Sequence, residues 1–275
     1  MHQTSFKYEV KPFLKWAGGK RWFVNKHLSL LPQKFNTYIE PFLGSGALFF
    51  NIQPTHAIIN DVNPKLIEVY KAIKIDPLGI ENRLKVHHEK HSKEYYYYIR
   101  SLNLENSLDE AAKFIYLNRT CFNGIYRVNL KGEFNVPIGT KDQVLLECDN
   151  FQRVSECLQN VDIYSGDFER IIDMANEGDF LFIDPPYTVS HNNNGFIKYN
   201  ENLFSWDDQI RLHQSLKRAH KRKVKILCTN ANHQSIHDLY KEKYFQKHIV
   251  SRYSAISGKR SARNQYEEIV IRNYK

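Results

Sequence analysis

The stretch DFLFIDPPY, residues 179–187, decides the fold class of this chain. Its apolar run Phe180–Ile183 is typical of a parallel strand that is buried on both faces. Pro185 and Pro186 have no backbone N–H for a sheet ladder, so the strand ends at Asp184 and opens into a loop. In an open α/β sheet, ligands bind beyond the carboxyl ends of the strands. We therefore expect a ligand site at this loop.

The loop carries groups that suit one kind of ligand. The Asp184 carboxylate and the proline carbonyls accept hydrogen bonds, and the Tyr187 ring offers a stacking face. Together they fit an exocyclic amine on a planar base. For the tetrapeptide alone, the alternative interpretation is an acidic strand end followed by a proline turn.

Strands and helices alternate on both sides of this stretch, which predicts an α/β fold with a mostly parallel sheet. Residues 245–253 and 268–274 resemble a terminal antiparallel pair. The other β-prone runs are residues 37–40, 57–60, 161–164 and 224–228.

The segment 64–147 interrupts this alternation. Charged, tyrosine-rich helical stretches are followed by the turn signals Asn123-Gly124 and Lys131-Gly132, which bracket a β-prone run. We therefore predict a catalytic domain made of residues 1–63 and 148–275. Residues 64–147 would form an inserted, mainly helical domain with a β-hairpin.

Composition and charge limit the class of partner. The 275 residues carry a formal net charge of +9, which favours a polyanionic partner. No apolar run reaches the length of a membrane span, and the first residues lack the apolar centre of a signal peptide. The cysteine spacing suits neither disulfides nor zinc, and histidines such as His87 are interpreted as parts of solvated helix faces. We expect a soluble, cytoplasmic protein that needs no metal.

A glycine loop predicts a nucleoside cofactor. In FLGSG, residues 42–46, Gly44 and Gly46 allow a ligand close to the backbone, and the following helix offers free amide donors. Phe49 replaces the third glycine of a dinucleotide fingerprint, so that fingerprint is incomplete. Asp61, at the end of the next strand, is expected to bind ribose hydroxyls. A tight turn and a structural aspartate are the alternatives.

A second glycine turn lies in LKWAGGK, residues 14–20. A sulfonium cofactor has a carboxylate that Lys20 could meet, and its positive centre suits an aromatic neighbour such as Trp16. The alternative is a packed tryptophan beside an ordinary turn.

Six motifs occur in a characteristic order along the chain: residues 14–20, EPFLGSG at 40–46, LNR at 117–119, NG at 123–124, GEFNVP at 132–137 and DPPY at 184–187. In this order they resemble the Dam family of DNA adenine-N6 methyltransferases, and the resemblance covers nearly the whole chain. It implies a Rossmann-like methyltransferase domain with an inserted target-recognition domain. It also implies S-adenosylmethionine as donor, S-adenosyl-L-homocysteine as product and double-stranded DNA, usually at GATC, as substrate.

The resemblance also assigns residues to the two ligands. The positions that match cofactor contacts are Trp16, Lys20, Phe42, Gly44, Gly46, Asp61, Asp167, Phe168 and Asp184. The positions that match contacts to the recognition sequence are Lys15, Phe122, Asn123, Ile125, Arg127 and Pro137. Thr140-Lys141 departs from the Arg-Tyr that relatives often have there, which leaves one DNA contact open.

A mechanism follows from these residues. An adenine inside a duplex must leave the stack before its amine can react. We expect Tyr187 to stack on the flipped base, while Asp184 and the Pro185 carbonyl accept the two N6 hydrogens. Catalysis then rests on positioning and electrostatics. Pro186 completes the rigid turn.

A basic loop in residues 252–263 is expected to bind DNA phosphates, with a solvated hairpin as the alternative. The residues concerned are Arg252, Lys259, Arg260 and Arg263.

Other enzyme classes fit the sequence less well. A Rossmann oxidoreductase would share the glycine loop and Asp61 but would not explain the DPPY motif. Cytosine-N4 methyltransferases more often carry Ser, and RNA adenine methyltransferases Asn, at the position of Asp184. A different adenine-containing target sequence also stays open, and we expect a monomer in solution.

Overall fold

The computed structural model describes residues 9–129, 131–189, 204–253 and 265–275. A seven-stranded sheet has the order β3-β2-β1-β4-β5-β7-β6. The strands are β1 (Tyr38–Glu40), β2 (Ala57–Asp61), β3 (Val161–Ser165), β4 (Phe180–Ile183), β5 (Lys225–Ala231), β6 (Gln246–Tyr253) and β7 (Gln265–Arg272).

Strand directions confirm the fold class predicted from the sequence. β1 pairs in parallel with β2 and β4, and β4 pairs in parallel with β5. β7 then runs antiparallel to both β5 and β6. All four residues of β4 are buried, as the continuous apolar run Phe180–Ile183 predicts for a central strand. The sheet is therefore mostly parallel and closes with an antiparallel pair.

Ten α-helices lie in the described part of the chain, and several begin where the sequence provides caps. Asn63 caps α3 by accepting hydrogen bonds from Lys65 and Leu66, with Pro64 at the first position. Ser205 and Asp208 form a capping box at the start of α9. The helices are α1 (Arg21–Lys26), α2 (Ala47–Ile52), α3 (Pro64–Ile75), α4 (Pro77–Glu89), α5 (Lys93–Ser101), α6 (Ser107–Thr120), α7 (Phe151–Leu158), α8 (Phe168–Asp173), α9 (Trp206–Lys221) and α10 (Gln234–Leu239).

The chain divides into two compact units. Unit one comprises Met1–Asn25, Gly44–Thr55 and Asp61–Gly166. Its core packs Phe13 against the rings of Phe50, Tyr70 and Phe151. The division predicted at residues 63 and 147 stays a prediction.

Unit one also contains a buried ion pair that fastens α6. Arg119 is 1% exposed and forms two hydrogen bonds with Asp149, at 2.5 and 2.7 Å. Its guanidinium also donates to the carbonyls of Phe13 and Val144. The buried charge is therefore paired and its donors are used, as burial of an arginine requires.

A short hairpin in unit one confirms the β-prone region predicted from the turn signals. Val128 and Phe134 form an isolated antiparallel bridge, and Cys121 pairs in the same way with Ile138. Asn129 closes the turn between them, since its side chain accepts hydrogen bonds from the backbone of Lys131 and Glu133.

Unit two comprises Lys26–Leu43, His56–Asn60 and Asp167–Lys275. One side of its core joins the rings of Phe35, Tyr38, Phe180 and Tyr274. Among the residues with described positions, no helix is both long and apolar enough to cross a membrane.

One histidine differs from the interpretation as a solvated side chain. His87 is only 9% exposed, and its ring stacks on Tyr116 with centroids 4.8 Å apart. Its Nδ1 lies 2.9 Å from the Tyr95 hydroxyl. Burial lowers the pKa of His87 to about 4. The expectation was wrong because α4 packs this face against α6, a contact that charge composition does not indicate.

Candidate active site

The carboxyl end of β4 holds Asp184 in a defined orientation. Ile183 pairs with Cys228 on β5, so the next residue of β5, Thr229, lies beside Asp184. The Thr229 hydroxyl donates to Asp184 Oδ1 at 2.7 Å. This hydroxyl is fully buried, which shields the hydrogen bond from water. One carboxylate oxygen is therefore fixed by the neighbouring strand.

Tyr187 is held by a glutamate on β7, which is separated from β4 by one strand of the sheet. Its phenol donates to Glu268 Oε2 at 2.6 Å, and Glu268, on β7, is 3% exposed. Burial, together with the charges of Asp184 and Glu268, raises the pKa of Tyr187 well above its usual value. The phenol therefore stays protonated as a donor, and the bond fixes the direction of the ring.

The two prolines present their carbonyls differently. The Pro186 carbonyl accepts a hydrogen bond from Gln209 Nε2 at 3.4 Å, and Gln209 Oε1 accepts one from Asn230 at 3.1 Å. The Pro185 carbonyl accepts a hydrogen bond from none of the residues that the structure describes. An acceptor is thus available next to the fixed carboxylate of Asp184.

In unit one, the glycine loop lies under an indole. Gly44 and Gly46 have φ angles of +50° and +63°, the left-handed region that favours glycine. A Cβ on Gly44 would lie 2.7 Å from Cδ1 and 2.9 Å from Nε1 of Trp16. Any larger residue at Gly44 would therefore displace Trp16, so the loop and the indole form one surface.

Asp61 belongs to the same surface. Its Oδ2 accepts a hydrogen bond from the Gly44 amide and its Oδ1 accepts one from the Asn63 amide, both at 3.0 Å. Burial raises the pKa of Asp61, and these backbone donors act in the opposite direction. The Val62 amide is a third such donor. A carboxylate offers about four acceptor positions, so capacity remains for a ligand hydroxyl.

Lys20 lies beside the second glycine turn. It is 4% exposed, and its Nζ donates to the Gly18 carbonyl at 3.1 Å. A Cβ on Gly19 would lie 3.3 Å from Ser45 Oγ, so residues 16–20 approach the FLGSG loop closely. The structure therefore brings Trp16, Lys20, Gly44, Gly46 and Asp61 together within unit one.

In unit two, Asp167 and Phe168 are held by Arg211, a residue that the sequence did not single out. The Arg211 guanidinium binds both carboxylate oxygens of Asp167 at 2.8 Å and lies 4.4 Å from the Phe168 ring centre. Phe42 stacks on Phe168 at 5.3 Å. Burial opposes ionisation of Asp167, but the bonds from Arg211 and the Glu169 amide outweigh it and lower its pKa. A contact from Asp167 or Phe168 to a cofactor stays a prediction.

All residues of unit one that are expected to contact DNA are exposed. They are Lys15, Phe122, Asn123, Ile125, Arg127 and Pro137. The Phe122 amide donates to the Pro137 carbonyl at 2.9 Å, and Lys15 Nζ donates to the Arg119 carbonyl at 2.9 Å. Although Lys15 is exposed as a residue, partial desolvation of its ammonium group lowers its pKa. Arg127 is held through Nε, which donates to Asn135 Oδ1 at 2.9 Å.

Most of the predicted phosphate-binding loop lies outside the described residues. Lys259, Arg260 and Arg263 lie outside the described residues, and only the backbone of Arg252, paired with Tyr266, is described.

In the described part of the chain, no group of three or more histidine, cysteine, aspartate or glutamate side chains could hold a metal ion.

Sequence reasoning missed three residues that position the site: Thr229, Glu268 and Arg211. Thr229 carried a usable signal, because it directly follows the β-prone run 224–228, and the carboxyl ends of neighbouring parallel strands meet at one edge of the sheet. Glu268 directly precedes the apolar run Ile269 to Ile271, and an acid that is buried in such a strand needs a hydrogen-bond partner. Arg211 carried no usable signal in the sequence, because its pairing with Asp167 depends on how α8 and α9 pack.

Comparison with known proteins gives a family match over most of the chain. The model of the family described as D12 class N6 adenine-specific DNA methyltransferase matches residues 16–256. A type II methyltransferase from Lactococcus lactis subsp. cremoris, M1.LlaDCHI, is 37% identical over 98% of this chain and 97% of its own length.

Two further relatives match over nearly their full length. The type II methyltransferase M.MjaIII of Methanocaldococcus jannaschii is 36% identical over 97% of this chain and 100% of its own length. The DNA adenine methylase of Haemophilus influenzae is 31% identical over 96% of this chain and 94% of its own length.

Proposed function

The chain belongs to the D12 class of N6 adenine-specific DNA methyltransferases, and from that premise we propose that it methylates a flipped-out adenine within GATC. Methylation of DNA adenine at N6 and dependence on S-adenosylmethionine follow from the family. The target sequence, the extrusion of the base and the residue roles given below are the proposal. The proposed chemistry rests on a single observation, the pair of acceptors at the end of β4.

These two acceptors suit the amine of adenine. Thr229 holds one oxygen of Asp184, and the Pro185 carbonyl beside it receives no hydrogen bond from any described residue. The amine has two hydrogens, and its lone pair is delocalised into the ring. When both hydrogens are accepted, the nitrogen shifts towards tetrahedral geometry and its lone pair becomes available as a nucleophile. Asp184 and Pro185 are the catalytic groups in this proposal.

Tyr187 supplies the stacking surface for the extruded base. A base outside the duplex loses the stacking of its neighbours, and an aromatic ring replaces part of that stacking. The bond from the phenol to Glu268 holds the ring in one direction, which favours one orientation of the amine.

The residues of unit one fit the methyl donor. S-adenosylmethionine, when bound, supplies a methyl group activated by the sulfonium. The left-handed turn at Gly44 and Gly46 leaves the backbone open to a ligand, Asp61 has acceptor capacity for ribose hydroxyls, and Lys20 can meet a carboxylate. The resemblance to the Dam family also assigns cofactor contacts to Phe42, Asp167 and Phe168, which belong to unit two.

The exposed residues 122–127 suit the reading of DNA bases. A guanidinium can bond O6 and N7 of guanine in the major groove, and Arg127 Nε already uses Asn135 as an orienting partner. GATC is the target that the resemblance to the Dam family implies, and one relative is named DNA adenine methylase. Another adenine-containing sequence is the alternative, because the two relatives of highest identity described above are type II methyltransferases. We propose a cytoplasmic monomer that also binds DNA phosphates through Arg252, Lys259, Arg260 and Arg263.

The test is product analysis on defined duplexes. The protein is incubated with S-adenosylmethionine and duplexes that contain GATC or a single-base variant of it, and the nucleosides are analysed by mass spectrometry. We expect N6-methyladenine in the GATC duplex, and resistance of that site to a methylation-sensitive nuclease. Methylation of all duplexes alike would refute the target sequence, and N4-methylcytosine would refute the chemistry. Asp184→Ala is the control that should lose the product.

A further inference from the structure

Tyr126 occupies the middle of the exposed DNA-facing segment but points away from the surface. Its neighbours Ile125 and Arg127 are exposed, while Tyr126 is half-buried. In an extended segment, successive side chains alternate between faces. Tyr126 therefore moves with the predicted base-reading residues, although it is not itself on their surface.

The Tyr126 ring lies between two other aromatic rings. On α6, Phe114 is stacked on it with centroids 4.9 Å apart and an interplanar angle of 27°. Trp16 is also stacked on it, at 5.8 Å and 22°. Three nearly parallel rings therefore run from α6 through the DNA-facing segment to Trp16.

The third ring of this stack reaches the predicted donor site. The Trp16 indole lies so close to Gly44 that a Cβ there would be 2.7 Å away. The Gly44 amide in turn donates to Asp61, and its carbonyl accepts from the Tyr70 hydroxyl at 2.9 Å. A change in the Tyr126 ring would therefore alter the contact between the Trp16 indole and the Gly44 turn.

The backbone before Trp16 is fixed, so a displacement of Tyr126 would have to be taken up by rotation of the indole side chain. The Lys15 amide donates to Asn118 Oδ1 at 2.9 Å, and Asn118 Nδ2 donates to the Lys15 carbonyl at 2.8 Å. This reciprocal pair anchors the chain to α6 immediately before the indole.

The Tyr126 ring borders an open cleft. Together with Phe114 and Phe134 it lines a cleft of about 620 Å³ in unit one. The backbone of Arg127 and Asn135 is joined across the hairpin by a hydrogen bond at 3.2 Å. A shift of the hairpin on contact with DNA would therefore move Tyr126 relative to Trp16.

We infer that Tyr126 is a positioning residue that couples recognition of the DNA sequence to affinity for the methyl donor. The inference rests on the proposed function, since it takes Trp16 as part of the donor site and Arg127 as a reader of guanine. A correct sequence draws the segment 122–127 into the groove, and the resulting shift of the Tyr126 ring changes how the stack presses the Trp16 indole onto the Gly44 turn. Coupling of this kind is reciprocal, so bound donor must raise the affinity for cognate DNA by the same factor.

The experiment measures affinities without turnover. Binding of S-adenosylhomocysteine is measured by calorimetry on the full chain, with no DNA, with a cognate duplex and with a duplex altered at one guanine. For the wild type we expect cognate DNA to tighten binding by about fivefold or more, and the altered duplex to do so much less. Titration of DNA with and without S-adenosylhomocysteine must give the same factor.

The variants separate coupling from general damage. Tyr126→Leu should bring the factor close to one while leaving the affinity for S-adenosylhomocysteine alone within about twofold. Tyr126→Phe keeps the ring and should keep the factor, and Phe114→Leu, at the outer end of the stack, should reduce it partly. Thermal unfolding checks that each variant is folded.

Three results would overturn the inference. They are a wild type with no coupling, a Tyr126→Leu variant with the full factor, and a Tyr126→Leu variant in which every affinity falls equally. A wild type that binds S-adenosylhomocysteine and shows coupling but methylates no adenine would instead refute the proposed function.

Discussion

Thr229 on β5 donates its hydroxyl hydrogen to Asp184 Oδ1 at 2.7 Å, so the proposed catalytic carboxylate is oriented by the neighbouring strand. Orientation of a reacting group accounts for a large part of enzymatic rate enhancement. The side chains that hold Asp184 and Tyr187 therefore become targets for experiment in their own right.

The first prediction concerns this hydroxyl. Thr229→Val removes the donor but nearly keeps the shape of the side chain. We expect kcat to fall by about tenfold or more, the equivalent of ~1.4 kcal/mol in the barrier, with little change in affinity for DNA. Thr229→Ser, which keeps the hydroxyl, should stay near the wild-type rate. Single-turnover methylation measures both, and equal rates for Val and Ser would remove Thr229 from the mechanism.

The second prediction concerns the pair Tyr187 and Glu268. Tyr187→Phe keeps the ring but takes the phenol donor from a buried carboxylate, so we expect a loss of stability of about 1–3 kcal/mol. Glu268→Gln is the matched change on the other partner. Because one bond is shared, the effects on kcat should not add in the double variant. Additive effects across the cycle would mean that this hydrogen bond does not position the ring.

The third prediction concerns the methyl donor. Asp61→Ala should weaken binding of S-adenosylmethionine by about tenfold or more, since charge-assisted bonds to two hydroxyls are lost. Asp61→Asn keeps one acceptor oxygen and should have an intermediate effect. Calorimetry without DNA gives the affinities, and unfolding curves show whether the Gly44 turn survives. Unchanged affinity in a folded Asp61→Ala variant would leave Asp61 with a structural role only.

The fourth prediction concerns the reading of sequence. Arg127→Ala should cost about 1–3 kcal/mol on GATC and narrow the difference from sites altered at one guanine. Arg260→Ala, at a predicted phosphate contact, should weaken all sites alike and flatten the salt dependence. Methylation rates at two salt concentrations separate these patterns. An equal loss on every site for Arg127→Ala would exclude base reading by this residue.

The fifth prediction concerns pH and His87. Burial lowers its pKa from 6.5 to about 4, so the unfolded chain binds more protons than the folded protein between these values. Stability is therefore present above pH 6.5 and is lost as the pH falls. Between pH 7 and pH 5 the contribution of His87 amounts to about 2 kcal/mol. In urea unfolding, His87→Gln should be less sensitive to pH than the exposed control His88→Gln, and parallel curves would argue against this assignment.

The fold class could be predicted from the sequence because the patterns that indicate it involve residues close together in the chain. The apolar run Phe180–Ile183 forms a buried central strand, and the caps at Asn63 and Ser205 lie next to the helices that they begin. Each depends on residues a few positions apart. The fold class and the strand end that carries Asp184 could therefore be predicted before any tertiary contact was known.

The residues that the sequence missed act over long separations. Glu268 is 81 positions from Tyr187, and Arg211 is 44 from Asp167. Which charged side chain reaches which partner depends on how strands and helices pack, and no local pattern encodes it. For the same reason His87, in a charged helix, looked exposed and is buried.

The long separation between Tyr187 and Glu268 has a consequence for how the enzyme is made. At about 5–20 residues per second, a ribosome that has just added Tyr187 needs ~4–16 s more to reach Glu268. During that interval the nascent chain carries the Asp184 motif without the acid that fixes its tyrosine. The hydrogen bond that fixes the tyrosine ring can therefore form only after the last strand of the sheet has been synthesised.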